Sequence, residues 1–217
     1  MKLEHGTPMD IEGESMRIIQ SELETRGVVP PPDRAAVVKR VIHTTADFDY
    51  AQNLWFTPGA AEAGVAALRA GTPIVTDTNM ARSGVNRTAC EALGVEALCY
   101  MADPEVARQA RAQNTTRAAA AADRWAAEHP GAVCAVGNAP TALLRMAELM
   151  EAGVLHPALV IGVPVGFVNV VESKERIWAV CERLRVPAIV AMGRKGGSTV
   201  AAAICNALLY QAAGMRA

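Results

Sequence analysis

The strongest constraint on the fold is an alternation that begins near residue 71. Five short apolar runs, at 73–76, 96–100, 132–136, 158–161 and 187–192, are separated by stretches with helical character. Those stretches are 87–93, 104–113, 116–128, 141–151, 172–184 and 199–212. The runs carry almost no polar alternation, which predicts strands buried on both faces. Strands joined through helices pair in parallel, because a parallel connection needs a crossover of a dozen residues or more. The expected class is therefore α/β, a three-layer α/β/α sandwich around a doubly wound sheet of about five parallel strands.

The residues ahead of this alternation read as helices. Met16, Ile19 and Leu23 form an apolar face over 11–24, and Gly27 with Pro30, Pro31 and Pro32 ends it. Val37 with Val41 and Val38 with Ile42 make i, i+4 pairs over 33–45. A third helix is expected over 57–70, with Pro58 in its first turn and Gly71 as its stop. The chain thus reads as one domain over 1–217, a helical lead-in at about 9–70 and a parallel-sheet core at about 71–213.

Composition removes several classes. With 21 Lys+Arg against 22 Asp+Glu the net charge is −1, so no overall positive field is available to hold nucleic acid. The longest nearly apolar stretch, 158–171, is broken by Gly162, Pro164, Gly166 and Asn169 and is too short to span a bilayer. The first ten residues contain no apolar signal core. The five cysteines are scattered without a CxxC, which predicts reduced thiols, a cytoplasmic setting and no metal site. The segment Gly193 to Thr199 is no phosphate loop, because Lys195 precedes two glycines rather than Ser or Thr. Neither G-x-G-x-x-G nor G-x-S-x-G follows a predicted strand.

In an open parallel sheet, ligands bind beyond the carboxyl ends of the strands. The segments found there are rich in Gly, Pro, Asn, Ser and Thr: Thr76 to Met80, Gly137 to Thr141, Gly162 to Phe167, and Gly193 to Thr199. Glycine lets backbone N–H groups approach a ligand, and helix N-termini favour anions, so these loops predict a rim for a ligand with several carboxylates or phosphates. Thr76, Asn138, Thr141, Gly166, Phe167, Gly196, Gly197 and Ser198 are its expected contacts. Ordinary turn and capping chemistry is the alternative reading of any single loop.

Of the four histidines, His5 falls at the terminus, and His129 and His156 sit beside Pro130 and Pro157 as helix-end and loop residues. His43 differs. Arg40 precedes it by three residues, and Asp47 follows by four if the helix continues, so charges of opposite sign flank it. That setting suits a general acid. An aromatic cluster follows, Phe48, Tyr50, Trp55 and Phe56, expected as a wall for a flat ligand or as packing at a subunit interface.

Together these segments resemble the precorrin-8X (cobalt-precorrin-8) methylmutase family. The matching stretches are Ile11-Glu12 with Glu14-Ser15, Val41-Ile42-His43, Thr76 to Met80 with Ser83-Gly84-Val85, and Asn114 with Thr116-Arg117. More specific are Gly137 to Leu143 (GNAPTAL), Gly162 to Lys174 (GVPVGFVNVVESK) and Gly193 to Ser198 (GRKGGS). The resemblance spans roughly residues 9 to 210. It implies a flavodoxin-like fold, a homodimer, and a methyl shift from C-11 to C-12 of a corrinoid ring without any cofactor. It implies His43 as catalytic acid and Ser15, Arg40 and Arg117 as substrate contacts, with Asn86 at a position where some relatives have Thr. Arg40, Arg117 and Lys195 would supply charge to ring carboxylates. Two other readings are a non-catalytic corrinoid carrier and an unrelated anion-binding α/β enzyme.

Overall fold

The structure is a computed structural model that describes residues 8–215, so His5 lies outside the described residues. Its six-stranded sheet has the order β1-β6-β5-β4-β2-β3. The strands are β1 (Leu54–Phe56), β2 (Ile74–Thr76), β3 (Ala97–Leu98), β4 (Val133–Val136), β5 (Leu159–Gly162) and β6 (Ala188–Ala191). All five predicted runs are strands, and all five are parallel to one another. Counted without β1, their order is that of a flavodoxin-like doubly wound sheet.

Period-two alternation divides the sheet between two cores. Ile74, Val133, Ala135, Leu159, Ile161 and Ile189 face one layer. Val75, Cys134, Val136, Val160 and Val190 face the other. The first layer contains α1 (Pro8–Arg26), α2 (Pro32–Thr45), α3 (Tyr50–Asn53), α4 (Ala60–Arg69), α5 (Asn79–Gly84), α6 (Arg87–Leu93) and α11 (Ser198–Ala213). The second contains α7 (Pro104–Ala112), α8 (Arg117–Glu128), α9 (Pro140–Glu151) and α10 (Val170–Leu184). Helix α11 is apolar nearly all round, which fits its position beneath α2, α4 and α5. Among the described residues no helix is long and apolar enough to cross a membrane.

The lead-in departs from expectation in two places. It is not wholly helical: β1 pairs antiparallel with β6, Leu54 opposite Ala191 and Phe56 opposite Ile189. Three residues are too few to show a period, and an antiparallel edge strand needs no crossover helix to announce it. The third helix starts at Ala60 rather than at 57. Thr57 instead prolongs the edge pairing, its N–H donating to Ala188 O at 3.0 Å and its Oγ1 accepting from Ala188 N at 2.8 Å. Helix α2 ends at Thr45, as expected, because Ala46 turns left-handed, φ 54°, and its N–H closes on Ile42 O at 2.7 Å; the condition that the helix continue to Asp47 is not met. Asp47 therefore leaves the helical face that carries His43.

The aromatic cluster is dispersed rather than a single wall. Tyr50 is buried, Phe48 lies under the Arg26 guanidinium and Phe56 under that of Arg34. Trp55, half-exposed, meets Trp178 edge-on with centroids 5.5 Å apart.

Candidate functional site

Strand order reverses between β2 and β4, and the crevice at that switch point is where doubly wound sheets hold ligands. Asp77, directly after β2, is fully buried there. Its Oδ1 accepts from Gly137 N at 2.8 Å, and its Oδ2 accepts from Asn138 N at 2.8 Å and Ala139 N at 2.7 Å. Burial pushes this carboxyl up from its ordinary range, against the pull of those N–H donors. The donors of the β4–α9 loop are thus engaged by the protein itself.

The next two loops are similarly cross-linked. Gly197 N donates to Val163 O at 2.8 Å, and Gly166 N to Arg194 O at 3.3 Å. A Cβ on Gly196 would lie 2.1 Å from Val163 O, and one on Gly137 would lie 2.7 Å from Ser198 Cα. The glycines at these two positions let three loops pack backbone to backbone. Gly166, Gly196 and Gly197 therefore build the rim instead of offering free N–H groups from Gly166 and Gly197, which corrects the sequence expectation. Thr78 and Ser198 join two loops through hydroxyls 2.8 Å apart. Thr76 is buried, and its hydroxyl is directed to the Thr78 and Leu98 carbonyls, each at 3.1 Å, so it faces the scaffold and not the crevice. The side chain of Asn138 and the ring of Phe167, which is 83% exposed, do face outward. The Arg194 guanidinium lies 5.5 Å from the Phe167 centroid.

His43 stands exposed in the last turn of α2, and its Nδ1 is 3.1 Å from Ser15 Oγ on α1. One turn earlier, Arg40 is nearly buried. It pairs with Glu12 at 2.5 Å and lies over the Tyr210 ring at 5.0 Å. Tyr210 OH accepts from Asn86 Nδ2 at 3.1 Å. Asn86 is otherwise occupied as the cap of α6, its Oδ1 accepting from Ala89 N at 2.9 Å. The structure thus brings Ser15, Arg40 and His43 together and connects Asn86 to them through Tyr210.

The His43 region is tied to the rim by charge. Lys195 Nζ donates to Asp47 Oδ2 at 2.6 Å and Asp49 Oδ2 at 2.7 Å. Those hydrogen bonds hold the lysine above its ordinary range. Burial pushes the Asp47 carboxyl up, but the Lys195 hydrogen bond and the Asp49 N–H outweigh it, leaving the group lowered. Lys195 is accordingly a brace with its charge balanced, not the free cation that the sequence reading expected.

Arg117 and Thr141 lie on the opposite helical layer from His43. Thr116 Oγ1 donates to Thr141 Oγ1 at 2.8 Å, and Arg117 is exposed in the first turn of α8. Arg117, Arg111, Asn114 and Thr115 line an open cleft of about 490 Å³. Among the described residues no cluster of three or more His, Cys, Asp or Glu could hold a metal ion.

The sequence reading left Asp77, Lys174 and Tyr210 out of the site. One signal was present for Lys174: it lies in register with Val170, Ile177 and Cys181, the inward stripe of α10.

Comparison with known proteins bears on the whole of this arrangement. A family model described as precorrin-8X methylmutase matches residues 10–211. A cobalt-precorrin-8 methylmutase of Salmonella typhimurium is 47% identical over 207 residues, covering 94% of this chain and 95% of that protein. A precorrin-8X methylmutase of Pseudomonas aeruginosa is 40% identical, covering 90% and 91%. A crystal structure of precorrin-8x methyl mutase from Thermus thermophilus superposes with a TM-score of 0.81 at 42% identity, covering 94% of this chain and 98% of that one.

Proposed function

The chain belongs to the precorrin-8X methylmutase family, and from this premise we propose how its residues carry out the isomerisation. The protein is a methylmutase, an isomerase of cobalamin biosynthesis, acting on a corrinoid. In our reading it moves a methyl group from C-11 to C-12 of the precorrin-8 ring, with His43 as the acid. Protonation draws electron density from the conjugated ring and eases migration of the methyl group. The same proton then returns to His43, so the step balances as a pure isomerisation. No electrons or groups enter or leave, which is why no cofactor is needed.

The observation that carries this reading is the contact between His43 Nδ1 and Ser15 Oγ. With Nδ1–H donating to Ser15, an imidazolium presents Nε2–H outward as the acid. After transfer, the neutral ring keeps its Nδ1–H bond and its orientation. Arg40, held by Glu12 and Tyr210, meets a ring carboxylate by exchanging its Glu12 partner. Arg117, Arg194 and the Asn138 side chain receive other acetate and propionate groups, and Phe167 lies against the apolar ring. The first-turn N–H groups of α11, which lack a side-chain cap, are a further anion seat. We further propose that the working unit is a cytoplasmic homodimer.

The test compares wild type with His43→Gln on precorrin-8, with and without cobalt, followed by visible absorption. Wild type should convert one form, and the variant should bind it and convert it about 10²–10⁴-fold more slowly. Equal rates would remove His43 from the mechanism. Binding by both without conversion would favour a carrier.

A further inference from the structure

Lys174 is a charge that packing alone does not explain. It sits in the apolar stripe of α10 and none of it reaches solvent. No neighbouring charge offsets its burial, which lowers its ammonium to about 8. What it holds is backbone: Nζ donates to Gly193 O and Lys195 O, each at 2.8 Å. The carbonyl between them, of Arg194, accepts from Gly166 N. Three successive carbonyls of the β6–α11 loop are therefore turned inward. The loop has Gly193 at φ 76° and Gly197 at φ 140°, conformations open to glycine, so it needs an outside hold to keep one shape. On its outer side the Lys195 side chain reaches Asp47 and Asp49, just past the residue that ends α2.

We propose that Lys174 is a positioning residue for the methyl shift, fixing the β6–α11 loop from beneath so that Lys195 braces the end of α2 that presents His43. It acts through Lys195. An ammonium suits the task because it makes two charge-assisted hydrogen bonds from the end of a long stem that crosses the core. The activity part of the test rests on the methylmutase reading; the exchange part does not.

Lys174→Met, Lys195→Met and the double variant are compared with wild type. By backbone hydrogen exchange, Lys174→Met should exchange about tenfold faster at both 193–199 and 43–49, with β4 and β5 unchanged. Lys195→Met should quicken 43–49 while leaving β4 and β5 unchanged. In turnover, Lys174→Met should lose about tenfold in kcat with KM within about threefold, and the double variant should be no slower than Lys174→Met. Unchanged exchange at 43–49 in Lys174→Met, or losses that multiply in the double variant, overturns the proposal. If wild type converts no precorrin-8, the methylmutase reading fails and exchange still decides the role of Lys174. If Lys174→Met does not fold, the exposed change Lys195→Met decides: unchanged exchange at 43–49 with unchanged kcat overturns the proposal.

Discussion

Gly196 and Gly13 show how differently one residue type is constrained. A methyl at Gly196 meets the Val163 carbonyl at 2.1 Å and the Pro164 carbonyl at 2.7 Å, backbone that cannot step aside. Gly196→Ala should cost about 1–3 kcal/mol or more, read as a lower urea midpoint. Gly13, inside α1, has nothing within 4 Å of an added Cβ. Gly13→Ala should stabilise by about 0.5–1 kcal/mol in the same assay. Lys174 makes a pH prediction. Its folded value of about 8 lies below the ordinary lysine value of 10.5, so the folded state binds fewer protons between those limits. Stability should rise with pH across that window, by at most about 3 kcal/mol from this group. The measurement is the difference between wild type and Lys174→Met in urea titrations at pH 7 and pH 10; parallel curves would contradict it. The neutral amine keeps two N–H donors, so the loop contacts survive deprotonation.

Secondary-structure elements are decided largely at their ends. Helix α2 could run on through Asp47 by propensity, yet Ala46 closes it left-handed and sends Asp47 toward Lys195. A non-glycine residue in that conformation is strained, so Ala46→Gly should raise stability by up to about 1 kcal/mol by thermal melt. Strand β1 depends on one side chain beyond its end. Thr57→Val keeps the shape but removes the Oγ1 acceptor and leaves a buried Ala188 N–H unpaired. A loss of about 1–3 kcal/mol is expected, with faster hydrogen exchange in β1 and β6.

Across the whole molecule, the sheet separates two groups of the proposed site residues. His43, Ser15 and Arg40 belong to one helical layer, and Arg117 with Thr141 to the other. In the function proposed above, a ring bound beyond the strand ends would meet the acid on one side and a carboxylate-binding arginine on the other. Arg117→Ala should therefore raise KM several-fold with little change in kcat, whereas His43→Gln should lower kcat with little change in KM. Steady-state kinetics on precorrin-8 separate the two; a kcat loss for Arg117→Ala equal to that of His43→Gln would place both in one step.

The five parallel strands and most of the helices were legible in the chain, because a buried strand shows as a short apolar run and a crossover helix as a periodic one. The ends of β2, β4, β5 and β6 were expected to hold a ligand on the strength of that topology, and His43 was singled out by the flanking charges of Arg40 and Asp47. What the chain alone did not show was which polar groups would be left for a ligand. Asp77 sits 60 residues from Gly137, and Lys195 is 148 residues from Asp47. Whether a loop N–H is free, or a lysine is a free cation or a brace, depends on such long-range partners. Local pattern carries propensity and periodicity, but only tertiary packing brings distant donors and acceptors within about 3 Å of each other.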